Sequence, residues 1–172
     1  LQEDSDERSA RATAALRLLH SWRLCPGSDG KGGVDREALR SWVNQARESL
    51  HQSGRGGIGD DQIGQALAAA PLGIDGVFPH EAVREIIEEL ANPEIEEAFR
   101  VRVFNNRGAT VRGVTDGGTQ ETSLAESYFA QADKIKYSHP RTAAILRGMG
   151  ENYLAHARRE DASAELTQDL WR

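Results

Sequence analysis

Along nearly the whole chain, apolar residues return every three or four positions, with breaks at proline and glycine. That spacing closes one face of an α-helix and does not fit the strict alternation of a half-buried strand. In the first segment Ala12, Ala15, Leu16, Leu19 and Trp22 share a stripe, with Arg8, Arg11 and Arg17 mostly elsewhere, and the helix should stop before Pro26 and Gly27. Asp35 can cap the free amides of the next helix, and Val34 can pack on Leu39 as a hydrophobic staple. Leu39, Trp42, Val43, Ala46 and Leu50 continue it to about Gly54. The short loop between these two helices favours an antiparallel hairpin.

A third helix is expected over 60–70, with Ile63, Ala66, Leu67 and Ala70 inward and Pro71 as its stop. Pro79 opens the fourth, whose Val83, Ile86, Ile87 and Leu90 face the core while Glu81, Arg84, Glu85, Glu88 and Glu89 stay solvated. Asn92 caps the fifth, acidic in its first turn and basic later at Arg100 and Arg102, as the helix dipole favours. Val101 and Val103 alternate and would allow a hairpin around 105–108, but Ile95, Phe99 and Val103 fit a helix better. After the long break from Asn105 to Gly118, a sixth helix spans 119–137 on the stripe Leu124, Tyr128, Ala132 and Ile135. Pro140 opens the seventh, through Ile145, Leu146, Met149 and Tyr153. Gly148 and Gly150 inside it each cost about 1 kcal/mol against alanine, which calls for close packing or a bend. The expected fold is therefore all-α, a multihelical single domain over 1–172 of about seven helices packed as antiparallel hairpins, with 160–172 as a peripheral tail.

Leu, Ile, Val and Phe together stand near one-fifth of the residues, the level below which disorder sets in when net charge is also high. The net charge of −6 is modest, so the chain should fold around a thin core that a partner surface supports. No basic block interrupts that charge, so nucleic acid is not an expected partner. No stretch approaches a membrane span, and the single cysteine, Cys25, suits a reducing cytoplasm. The chain begins at Leu1 and its one methionine is Met149, so the expected translational start lies upstream, in a longer protein.

Several near-motifs lack the atoms their chemistry needs. In an EF-hand register the loop DGKGGVD at 29–35 puts Asp29 at position 3 but Gly27 at 1, Lys31 at 5 and Ala38 at 12, so a calcium site is not expected. GATVRGVT at 108–115 has P-loop glycine spacing with Val114 where the lysine belongs. The five histidines are scattered, and Ser21, Ser41 and Ser49 lie in helices, away from any nucleophile elbow. A helix-turn-helix drawn from Asp61 to Leu90 has too long a connection and an acidic second helix. No catalytic residue, metal ligand or cofactor is expected.

The segments Gly27 to Val43, Ile63 to Pro71 and Phe78 to Leu90, extended by Asn105 to Glu121 and His139 to Tyr153, carry a pattern of their own. It resembles the C-terminal α-helical region of large uncharacterised bacterial proteins. The resemblance implies a helical fold, transfers no functional residue and implies no established activity. The expected role is a non-catalytic structural or protein-interaction module that meets the remainder of its parent chain or another protein. The alternatives are a sensing or dimerisation part of a transcriptional regulator, and part of an enzyme whose site needs upstream residues. Candidate contact residues are Asn105, Asn106, Arg107 and Arg112 in the long loop, where function tends to concentrate. Leu166, Leu170 and Trp171 join them, because no later helix covers them.

Overall fold

The structure is a computed structural model that describes residues 24–107 and 117–170, with side chains through Leu166. The helix expected over 12–22, the loop residue Arg112 and Trp171 lie outside the described residues, as does the side chain of Leu170. Six helices and no strand occur among the described residues: α1 (Arg36–Gln52), α2 (Gly56–Leu67), α3 (Glu81–Leu90), α4 (Pro93–Asn106), α5 (Thr119–Ile135) and α6 (Pro140–Leu170). The all-α class is thus observed. No helix among these residues is long and apolar enough to cross a membrane.

Local chemistry explains most helix starts. Asp35 Oδ1 accepts from Ala38 N–H at 2.8 Å, and Asn92 Oδ1 accepts from the amides of Glu94 and Ile95, with Pro93 opening α4. Caps of this kind contribute about 1 kcal/mol each. Three boundaries differ from expectation. α2 begins at Gly56, ahead of residue 60, and ends at Leu67. Pro79 lies outside α3, where His80 is the cap and its Nδ1 accepts from Ala82 N–H at 3.2 Å. α5 stops at Ile135, whose carbonyl accepts from the amides of both Ser138 and His139.

α2 packs chiefly on α4, and α5 on α6, while α3 touches both α1 and α6. One core joins these layers, with Leu39, Ile63, Leu67, Val83, Ile95, Phe99 and Leu146 all inaccessible or nearly so. Alanine does much of the filling, at positions such as 82, 98, 125, 132, 143 and 157, so helices meet at close range. Gly150 shows why a glycine was placed mid-helix: a Cβ there would come within 2.6 Å of the Phe129 ring. Around Gly148, by contrast, there is open space.

Two residues expected to be solvated are structural. Arg84 is 1 % exposed. Glu88 accepts from the amides of Arg141 and Thr142, at 3.1 and 2.9 Å, and from the Thr142 hydroxyl at 3.1 Å, so a carboxylate of α3 caps the start of α6. A first-turn amide near the positive end of the helix dipole is a good partner for such an anion. Both residues looked solvated because a single-helix pattern does not include the loop and helix that later cover them.

Candidate functional site

The residues expected to make contacts have different fates. Asn105 and Asn106 close α4 and are exposed. Arg107, just beyond, is drawn inward: its Nη2 lies 3.0 Å from Oε1 of buried Glu121, and its guanidinium sits 5.1 Å above the Tyr153 ring. Tyr153 stacks on Tyr128 at 5.6 Å and meets Phe104, which in turn meets His156. Burial pushes the Tyr128 hydroxyl up to about 12 and raises Tyr153 as well, although Arg107 pulls the other way in both. Arg107 therefore ties α4 to α5 and α6. Leu166 is 67 % exposed on α6. Further back along that helix, Asp161 Oδ1 accepts from Gly118 N–H at 2.7 Å, and Ala164 is buried.

Two Asp-Gly loops lead into helices. In the first, Asp29 Oδ1 accepts from the amides of Lys31 and Gly33 at 2.7 and 2.9 Å, and Ser28 bridges to Val34. These amides hold the Asp29 carboxyl below its ordinary range. In the second, Asp75 Oδ1 accepts from Val77 N–H at 3.0 Å, and Gly73 N–H donates to Val77 O at 2.9 Å. Here the Arg84 guanidinium supplies the cation, with Nη1 and Nη2 each 2.8 Å from an oxygen of Asp75 and Nη2 3.2 Å from Glu81. Arg84 is the main cause that keeps the Asp75 carboxyl below its usual value. Phe78 N–H donates to Gln131 Oε1 of α5 at 2.8 Å, and the Phe78 ring stacks on Phe99. On this tightly held loop Leu72 is 58 % and Ile74 97 % exposed. Neither falls on a helical stripe, so the apolar spacing of the sequence gives no sign of them.

Two grooves flank α4. The larger, about 740 Å³, lies between α2 and α4 and reaches Asn105. The smaller, about 290 Å³, lies between α4 and α6 and is lined by Val101, Phe104, Met149 and His156 among others. Among the described residues, no group of three or more His, Cys, Asp or Glu is placed to hold a metal ion.

The chain matches no protein-family model, no curated protein and no solved structure. Physical chemistry alone must assign its surfaces.

Cys25 can be dismissed as a reactive group on that basis. It is 2 % exposed, and burial pushes its thiol up to about 12. A thiol needs both access and thiolate character to react. In the native protein at pH 8 it should therefore be silent to an aromatic disulfide reagent, with one equivalent released only on adding denaturant. Stoichiometric release from the folded chain within minutes would contradict the buried position.

Proposed function

We propose that this chain is a non-catalytic protein-interaction module of a larger bacterial protein, which works in the cytoplasm by docking on the remainder of its parent chain or on another protein. The reading includes the seven-helix, antiparallel-hairpin architecture expected from the sequence. What supports it is the loop around Ile74. An isolated exposed aliphatic residue means little on most surfaces. Here Leu72 and Ile74 project from a loop pinned by a buried arginine, an Asx turn and a hydrogen bond donated to α5. A partner that covers them does not have to order the loop first, so little binding energy is lost on ordering.

The test is the double variant Leu72→Ser, Ile74→Ser, with the remainder of the proposed parent chain expressed separately and titrated onto the full 172-residue chain. Wild type should bind, the variant should bind at least about tenfold more weakly, and thermal melts of the two should coincide. Undiminished binding by the variant would refute the loop as the docking surface, and no binding by wild type would refute docking on the parent chain.

A further inference from the structure

We propose that the groove between α2 and α4 receives an amphipathic helix that carries basic residues. The inference rests on the reading of the chain as an interaction module, but not on the Ile74 loop. The groove follows α4 from Pro93 to Asn105 and α2 from Gly57 to Gln65. The stretch of α4 from Pro93 to Asn105, a little over three turns, gives it a length of roughly 18 Å at 1.5 Å per residue. Its volume of about 740 Å³ falls within the range of specific binding clefts. An elongated, open trough between two helices suits a rod-like ligand, and among the described residues there is no sheet edge to add a strand to.

Its lining gives the chemistry. Pro93, Ala98 and Val101 form an apolar floor, with Val101 45 % exposed, and at Gly57 a Cβ would meet nothing within 4 Å. Small residues on the floor let a partner backbone approach closely. Asp61, Glu94 and Glu97 stand on the walls together with one cation, Arg102. Glu97 already has its cation, since Arg100 Nε and Nη2 approach its two oxygens at 2.9 and 2.6 Å. Asp61 and Glu94 have none among the described residues: Asp61 Oδ2 is held only by the neutral amides of Gln62 and Gln65, at 3.1 and 2.8 Å. Three carboxylates against one lining arginine leave the groove acidic, and an apolar floor beside two carboxylates that no ion pair holds complements a helix with an apolar face flanked by Lys or Arg. Complementary charge of this kind sets orientation and partner choice more than raw affinity.

The probe is a fluorescent four-turn synthetic helix of Leu, Ala and Arg in amphipathic order. Its controls are a scrambled peptide of the same composition and one with Glu in place of Arg, each titrated onto the full 172-residue chain by anisotropy. The ordered Arg peptide should bind, and both controls should be at least about tenfold weaker. Val101→Asp, Gly57→Leu and the pair Asp61→Asn, Glu94→Gln should each weaken it by about tenfold, the last pair also flattening the salt dependence. Equal binding of the scrambled peptide, no binding at all, or undiminished binding to the groove variants would overturn the proposal. So would self-association of the chain that Val101→Asp abolishes, because the occupant would then be a second copy. Leu72→Ser, Ile74→Ser should leave peptide binding unchanged, so failure at the loop and failure at the groove are separable.

Discussion

Gly64→Val should destabilise the protein by about 3 kcal/mol, as expected where an added side chain must displace backbone. Gly64 sits where α2 packs directly against the backbone of α4. A Cβ built there would collide with the Ile95 carbonyl and come within 2.8 Å of Ala98 Cβ and 3.0 Å of the Phe99 amide. Two of these three obstacles are backbone atoms of a helix, so no rotamer change relieves the clash, and the helices must separate. For a chain of this size the loss corresponds to a fall in melting temperature of roughly 10 °C. Gly148→Ala supplies the opposite control: nothing lies within 4 Å, so removing a mid-helix glycine should stabilise by about 1 kcal/mol. Thermal melts followed by circular dichroism read both. If Gly64→Val melts with wild type, the close crossing of α2 and α4 is wrong.

Arg84→Ala should cost about 3 kcal/mol at pH 7, within the range for breaking a buried ion pair from one side. Two effects add. The change removes a fully buried stem from the core, and it releases Asp75, so the loop from Gly73 to Val77 keeps only the Asp75 amide's bond to Glu81 as a polar tie to α3. The Asp75 side chain is 42 % exposed and can rehydrate, so the Coulombic share is screened and packing dominates. Arg84→Met should therefore recover more than half of the loss. It refills the stem's volume and also removes the buried Nε, which has no hydrogen-bond partner.

The acid response checks the remaining share. The Asp75 carboxyl is held below its ordinary value of 3.8, so the pair's contribution is present above that value and is lost as pH falls through the lower folded one. The stability gap between wild type and Arg84→Met should therefore narrow below about pH 4 in urea titrations. A gap that stays constant to pH 2 would show that the ion pair adds nothing beyond packing.

Gly64 and Arg84 also mark the limit of what the sequence could reveal. The period of the apolar residues was enough for the helical class, the inward faces of α1 and α3, and the caps at Asp35 and Asn92, because each depends on neighbours within about one turn. Continuation of α4 through Val103 was legible for the same reason, with Ile95 and Phe99 buried as their spacing implied. Of the two interior glycines of α6, the pattern could ask for close packing but could not choose between them. Phe129, about twenty residues away, decided for Gly150.

Contacts from distant segments decided the rest. On α5 the expected Ala132 and Ile135 are buried, but nearer its start Glu121 and Ala125 are buried while Leu124 and Tyr128 are only half-buried, and Glu121 meets Arg107 from the end of α4. The arginine and glutamate at 84 and 88 fall at solvated positions in any reading of α3 alone. They turn inward because a loop nine residues upstream and a helix start more than fifty residues downstream bring the carboxylate and the free amides those side chains bind. The groove beside α4 was equally invisible, since it is the gap left between two helices rather than a property of either. The sequence by itself determined which segments would be helical and most of their core-facing sides, since those follow from local spacing. Only the tertiary structure decided which charged residues are structural and which apolar ones stay bare, because burial of a given side chain depends on what packs over it.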